Sequence, residues 1–81
     1  MAQSRLTVLI TSSSRVLFQG FAEYVICPGE EGTFEVLPFH RPLVSRLLAG
    51  TVTIDGRALP IRRGVMRVAD DIVTVVVEPE A

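Results

Sequence analysis

The sequence predicts an all-β fold: a small β-sandwich or flattened barrel of about 8–10 short strands. Two observations carry this prediction. Short runs in which apolar and polar residues alternate recur along the chain, and turn residues such as Gly, Pro, Ser and Asp separate them. With 81 residues, 48% of them hydrophobic, the chain has material for one core. We therefore expect residues 1–81 to form a single β-sandwich domain.

Four alternating runs predict strands in the first half of the chain: Arg5–Ile10, Arg15–Gln19, Phe21–Cys27 and Phe34–Val36. In the first run Leu6, Val8 and Ile10 share one parity, which predicts one buried face. Gly20 is expected to break or bulge the chain between the second and third strands. The Pro28-Gly29 pair is expected to end the third strand with a turn.

The last third of the chain predicts two hairpins from four runs: Thr51–Ile54, Arg57–Arg62, Val65–Val68 and Ile72–Glu78. Asp55-Gly56 is a strong hairpin signal between the first two, and Ala69-Asp70-Asp71 separates the last two. Pro60 restricts its strand to an edge or a bulge. The final run contains one polar residue, Thr74, so we expect both of its faces to be covered.

The segment Arg41–Gly50 is ambiguous. Leu43, Leu47 and Leu48 lie at helical spacing, and Gly50 fits a helix C-cap. A helix of one or two turns and a short strand both fit this pattern.

Composition excludes several function classes. The formal net charge is −1, which gives no reason to expect a nucleic acid partner. Cys27 is the only cysteine, so neither an intramolecular disulfide nor a multi-cysteine metal site is possible, and we expect a buried, inert thiol. The sequence shows no secretory signal and no apolar run near the roughly 20 residues of a spanning helix. These features predict a soluble, cytoplasmic protein.

Catalytic chemistry has little support in the sequence. His40 with Glu30, Glu31 or Glu35 is the one plausible acid–base group, and no spacing ties the histidine to any of these carboxylates. The hydroxyl run Ser12–Ser14 lacks a nucleophile-elbow frame, and no phosphate-binding glycine motif is present. One histidine and one cysteine are too few for a zinc site. We expect no catalytic residues, no cofactor and no metal.

Turn chemistry explains the same residues better. Gly29 and Gly32 permit a tight connection, with Glu30 and Glu31 as its solvated tip.

Two prolines, Pro38 and Pro42, make the segment around His40 stiff. Phe39 lies between them, outside the strand alternation. It either folds back on the core or is an exposed contact anchor.

The stretch "PGEEGTFEVLPFHRPLVSRLLAG" and the hairpins after it closely resemble the ε subunit of bacterial F-type ATP synthases, called δ in mitochondria. The family signature is approximately P-G-x-x-G-x-F-G-I-L-P-x-H-A-P-L, followed by a Leu-rich stretch and a glycine. The residues on matching positions are Pro28, Gly29, Gly32, Phe34, Leu37, Pro38, His40, Pro42, Leu43 and Gly50. The resemblance extends from Leu6 to Glu78.

This resemblance implies a ten-stranded β-sandwich in the central stalk of the rotor, peripheral to the cytoplasmic face of the bacterial inner membrane. Such a domain binds the γ subunit along one side, rests on the polar loops of the membrane c-ring and performs no chemistry. It also implies that residues Pro42–Leu48 are extended. For γ, the strand Phe21–Cys27 and the final hairpin are the candidate surfaces.

The resemblance places the c-ring contact on the following residues: Glu30, Glu31, Thr33, Glu35, Phe39, His40 and Arg41. Weaker candidates on nearby loops are Arg5, Ser12 and Arg15. Family members often have an acidic residue at Thr33, and Glu35, on the same face of a strand, is expected to compensate. Glu35 replaces the family's glycine, Phe39 often replaces a glycine, and Arg41 replaces a small residue.

Most ε subunits continue into a C-terminal helical hairpin that can inhibit ATP hydrolysis and in some bacteria binds ATP. The 81 residues contain no counterpart, so we expect neither property of them. Two alternatives remain at this point. One is a stand-alone β-sandwich interaction adaptor with the same fold, and the other is a small hydrolase or isomerase that uses His40 and a glutamate.

Overall fold

The structure, a computed structural model, describes residues 5–80 and contains eight strands and no helix in that part of the chain. The strands are β1 (Leu6–Thr11), β2 (Val16–Ala22), β3 (Val25–Gly29), β4 (Gly32–Val36), β5 (Leu43–Leu47), β6 (Gly50–Ile54), β7 (Arg57–Ala69) and β8 (Ile72–Pro79). The all-β prediction is confirmed. Of the domain predicted over residues 1–81, residues 1–4 and 81 lie outside the described part.

Two layers of strands share one hydrogen-bonded path. Neighbouring strands follow the order β2-β1-β8-β7-β5-β3-β4, and β6 pairs with β3 and β7. The β1–β8 pair is parallel, and the other pairs are antiparallel. One layer contains β2, β1, β8, the second half of β7, and β5. The other layer contains β4, β3, β6 and the first half of β7.

β7 joins the two layers as one continuous strand of 13 residues. The prediction of separate strands at Arg57–Arg62 and Val65–Val68 is therefore wrong. The register against β8 shifts between Ile61 and Arg63, where the strand passes from one layer to the other. Gly64 marks a close approach, since a Cβ there would lie 2.7 Å from the carbonyl oxygen of Val76. Because β7 crosses between layers, the strand count stays at eight, below the ten that the resemblance implies.

The core consists of alternate residues from both layers, as the period-two pattern predicts. Leu6, Val8 and Ile10 of β1 are buried, as expected. Cys27 is also fully buried, and this burial raises the pKa of its thiol from 9.0 to about 12. The prediction of a buried cysteine is confirmed.

The predicted strand Phe21–Cys27 is two strands, and that prediction is wrong. β2 ends at Ala22 and β3 begins at Val25. Between them, the backbone N–H groups of Glu23 and Tyr24 donate to the Asp55 carboxylate Oδ1 at 2.9 and 3.1 Å. A side chain distant in sequence thus satisfies these amides, so the chain can leave one layer and enter the other.

Gly20 does not interrupt β2. It pairs with Val8 in regular register, and the irregularity of this hairpin lies between Ile10 and Thr11 instead.

The Pro28-Gly29 pair is also not a turn. Both residues belong to β3, and the chain reverses at Glu30-Glu31 between the paired Gly29 and Gly32. The predicted solvated tip at Glu30 and Glu31 is confirmed. β3 ends at Gly29, two residues later than the predicted strand end at Cys27.

The two predicted hairpin turns are confirmed. Asp55 and Gly56 have φ values of 47° and 86°, and Asp70 and Asp71 have 52° and 59°. Two consecutive positive φ values are typical of the type I′ turn, whose twist matches that of the flanking strands.

β5 settles the ambiguous segment as extended backbone over Leu43–Leu47, as the resemblance implies.

Candidate partner-binding surfaces

The outer face of the five-stranded layer is exposed and apolar. We call outer face the surface formed by Phe21, Val44, Val65, Ile72 and Val76, whose exposed fractions lie between 50% and 67%. Val65 and Val76 are direct cross-strand partners. The second layer covers only the opposite face of these strands, so β8 is buried on one side. The prediction that both faces of β8 are covered is wrong for this chain on its own.

Three arginines lie on or beside the outer face. The Arg5 guanidinium lies over the Phe21 ring, 4.9 Å from its centroid, an arrangement that favours cation–π attraction. Arg46 and Arg67 are exposed on the same face, opposite Val65 and Val44 respectively. Arg67 lies within the face, between Val44 of β5 and Thr74 of β8, and Arg46 lies on β5 beside Val65. Apolar side chains together with arginine are typical of a protein interface, where arginine is enriched.

An acidic tip lies where β3 turns into β4. We define the acidic tip as Glu30, Glu31 and Thr33, all exposed. Its shape depends on Gly29, because a Cβ at that position would lie 2.7 Å from the Phe34 ring. Arg46 approaches Glu30 at 4.0 Å, an exposed ion pair that contributes little to stability. Glu35 is also exposed, and it lacks a positive φ although it replaces a glycine of the family pattern.

The segment from Leu37 to His40 forms a tight turn. The His40 N–H donates to the Leu37 carbonyl oxygen at 3.2 Å, with Pro38 and Phe39 at the central positions. Phe39 has a φ of 69°, the conformation that the second central residue of a type II turn requires and that glycine usually provides. Its side chain is 81% exposed. Of the two alternatives for Phe39, the structure therefore has the exposed one.

Asp71, in the turn between β7 and β8, holds this turn by a hydrogen bond. Its carboxylate Oδ1 accepts the Phe39 N–H at 2.7 Å, and its backbone carbonyl accepts the Thr7 N–H at 2.8 Å. One residue of the β7–β8 turn thus links the start of β1 with the turn that presents Phe39. Sequence reasoning missed this role, because the two partners are 32 residues apart.

The His40 ring bonds to backbone rather than to a carboxylate. Its Nδ1 lies 2.6 Å from the Arg41 carbonyl oxygen, so Nδ1 carries the proton in this arrangement. Glu30 and Glu31 are at the far end of β4, and Glu35 is exposed and makes no hydrogen bond or ion pair with His40. The structure does not assemble the acid–base group that the sequence allowed.

Nine of the ten predicted contact residues fall into two groups at opposite ends of the five-stranded layer. At one end lie Glu30, Glu31 and Thr33, with Ser12 and Arg15 of the β1–β2 turn across the layer.

At the other end lie Arg5, Phe39, His40 and Arg41, beside the β7–β8 turn. Five residue steps separate Gly32 from Leu37, and Glu35 lies between the two groups. At the rise of a β-strand, the five steps from Gly32 to Leu37 correspond to about 17 Å. The structure therefore does not bring all ten residues to one end.

Sequence reasoning did not single out Val44. Its signal is present, since Leu43 and Leu47 have inward parity on β5 and Val44 has the opposite parity. The sequence cannot show that the outward parity is left uncovered.

Two features are absent from residues 5–80. No helix there is long and apolar enough to cross a membrane. No group of three or more His, Cys, Asp or Glu residues in this range could hold a metal ion.

Comparison with known proteins identifies similar sequences. A family profile described as "ATP synthase, Delta/Epsilon chain, beta-sandwich domain" matches residues 5–79. The chain is 37% identical over 78 residues to an ATP synthase epsilon chain of Bordetella petrii, covering 90% of this chain and 55% of that protein. It is 29% identical over 82 residues to an ATP synthase epsilon chain of Leptospira interrogans, covering 96% and 65%. The chain spans about half the length of the curated relatives it matches.

Solved structures share the fold. A chain in the cryo-EM structure of the Euglena gracilis mitochondrial ATP synthase with its c-ring superposes with a TM-score of 0.83 at 20% identity, covering 93% of this chain and 51% of that one. A chain in the Tetrahymena thermophila mitochondrial ATP synthase central stalk and c-ring gives 0.75 at 14% identity, covering 94% and 64%.

Proposed function

This chain belongs to the ATP synthase delta/epsilon chain family, and we propose that it is a non-catalytic central-stalk subunit of an F-type, proton-translocating ATP synthase. In this role it couples the γ subunit to the membrane c-ring, peripheral to the cytoplasmic face of a bacterial inner membrane. The observation that carries the proposal is the family match over residues 5–79, which includes nearly all of the described sandwich. The relatives named ATP synthase epsilon chain support the same role.

The outer face is the proposed γ-binding surface. Its five apolar side chains are at least half exposed, on hydrogen-bonded strands of one layer. Exposed apolar area of this kind on a small domain is typical of a surface that a partner covers. The final hairpin, one of the two γ-binding candidates that the resemblance implies, contributes Val65, Ile72 and Val76.

The acidic tip is the proposed c-ring contact, with Glu35 beside it. Two exposed carboxylates on a two-residue turn can bind polar and positively charged loops. The exposed ion pair between Arg46 and Glu30 is weak, so both carboxylates stay available to a partner. Ser12 and Arg15, on the β1–β2 turn at the same end of the layer, are additional candidates. The second group, at the opposite end, is a separate contact.

No catalytic role is proposed for His40. Its ring donates to a backbone carbonyl and has no carboxylate partner, so a general base with a positioned acid is not formed. The domain contributes binding surfaces, and ATP chemistry belongs to other subunits of the complex.

The proposed function is tested by calorimetry. The chain is titrated into purified γ subunit of the same organism, and then into a γ–c-ring assembly. We expect one-to-one binding to γ and tighter binding to the assembly. The ring contact is supported if the additional affinity for the assembly decreases with salt. The double variant Glu30→Gln, Glu31→Gln should abolish this additional affinity. Absence of binding to both would overturn the function and favour an adaptor of another complex.

A further inference from the structure

We propose that Phe39 is an aromatic anchor for the γ subunit and that a strained turn holds it ready in the free chain. The inference rests on the proposed function, and it assigns to γ a residue that the resemblance alone places against the c-ring. Three observations carry it: the backbone conformation of Phe39, the exposure of its ring, and the position of its turn beside the outer face.

The backbone of Phe39 is in a region that favours glycine. At a φ of 69° the Cβ of an L-residue crowds its own backbone, which costs conformational free energy that glycine avoids. Phe is a large residue for such a position, and the family pattern often has glycine there. The turn therefore lowers the stability of the free chain relative to a glycine in the same place.

Packing within the chain does not offset this cost. The Phe39 side chain is 81% exposed, so the ring gains little from the core, whereas Phe34 packs partly against it. A buried aromatic would repay the strain through removal of apolar area from water. For Phe39 that gain is available only when a partner covers the ring.

The turn is rigid, which suits an anchor. Pro38 fixes one central position of the turn, and Pro42 restricts Arg41 to extended backbone. The Asp71 carboxylate holds the Phe39 amide at 2.7 Å. A ring presented on a fixed backbone loses little conformational entropy when it binds, and this increases its contribution to affinity.

The position of the turn identifies γ as the partner. Asp71, which holds the turn, directly precedes Ile72 of the outer face, and it also accepts the amide of Thr7. Thr7 in turn pairs with both Ile72 and Phe21, two members of the outer face. Phe39 thus continues the proposed γ surface at the end away from the acidic tip. A partner that covers the outer face meets Phe39 at its rim.

The test compares three variants, Phe39→Ala, Phe39→Gly and Phe39→Tyr, with the wild type. Binding to γ alone and to the γ–c-ring assembly is measured by calorimetry, and Tm by circular dichroism. We expect Phe39→Ala and Phe39→Gly to lose about 30-fold in affinity for γ, as truncation of an anchoring aromatic does. Phe39→Tyr, which keeps the ring, should stay within about threefold.

Stability should separate the two truncations. Phe39→Gly relieves the positive-φ strain and Phe39→Ala keeps it, so the Tm of the glycine variant should exceed that of the alanine variant by about 4 °C. Thr51→Ala, at an exposed position of β6, is the matched surface control and should leave binding unchanged. Loss of affinity combined with a gain in Tm is the result that only an anchor held under strain produces.

Each contrary result is distinct. Unchanged γ affinity in Phe39→Ala overturns the anchor but leaves the proposed function standing, since the wild type still binds. A loss seen only with the γ–c-ring assembly overturns γ as the partner and indicates the ring. A Tm for Phe39→Gly at or below that of Phe39→Ala overturns the strain. Failure of the wild type to bind either partner overturns the proposed function and the anchor together.

Discussion

Replacement of Val76 by glutamate should weaken γ binding roughly 100-fold without unfolding the chain. Val76 is 53% exposed and lies opposite Val65 near the middle of the outer face. Full burial of a valine side chain contributes about 1.5–2 kcal/mol, so covering the exposed half contributes about 0.8–1 kcal/mol. The variant loses this term and also places an unpaired carboxylate in the interface, which costs at least about 2 kcal/mol more. The expected total of about 3 kcal/mol corresponds to roughly a 100-fold weaker Kd.

The free chain should tolerate the change. The Val76 side chain points away from the core, so the cost is a difference in β-propensity of less than about 1 kcal/mol. Calorimetric titration into γ gives the Kd, and urea denaturation gives the free energy of unfolding. Thr51→Glu introduces the same charge at an exposed position of β6, in the other layer, and should bind γ as the wild type does.

One result would refute the assignment of the outer face. If Val76→Glu folds with nearly wild-type stability and still binds γ within about threefold of the wild type, the outer face is not the γ surface. If Thr51→Glu weakens binding equally, the effect is one of net charge and not of the buried position.

Three further predictions concern the fold that presents these surfaces. Asp55→Ala should lower the free energy of unfolding by about 1–2 kcal/mol in urea denaturation, because two amides lose their acceptor, whereas Asp55→Asn should retain most of the stability. Gly64→Ala should cost about 2–3 kcal/mol, since its Cβ would lie 2.7 Å from a backbone oxygen of β8. Gly20→Ala, with its nearest neighbour at 3.7 Å, is the control and should be neutral or slightly stabilising. Burial raises the pKa of Cys27 to about 12, so the unfolded chain releases the thiol proton at lower pH than the folded chain. The free energy of unfolding should therefore fall between pH 9 and 12. A Cys27→Ala variant whose free energy of unfolding fell equally steeply with pH would contradict this cause.

Local chemistry in the sequence determined most strands and the hairpin turns. Alternation at period two assigned Leu6, Val8 and Ile10 to the core, because successive side chains of a strand point to opposite faces. Asp55-Gly56 and Asp70-Asp71 predicted their turns because these residues tolerate positive φ values. The Glu30-Glu31 tip followed from the flanking glycines, of which Gly32 has a positive φ. Each of these features depends on residues within a few positions of one another.

Contacts between distant segments decided the candidate surfaces. Parity shows which side chains share a face of β8, but only the position of the second layer shows that Val76 and Ile72 are left uncovered. The strand break after Ala22 depends on the Asp55 carboxylate, and the turn that presents Phe39 depends on the Asp71 carboxylate. Each carboxylate is more than 30 residues from the amide that it accepts. The sequence alone determined most of the strands and the hairpin turns, since these depend on local preferences. The tertiary structure decided which apolar side chains are available to a partner, because exposure depends on how the two layers cover each other.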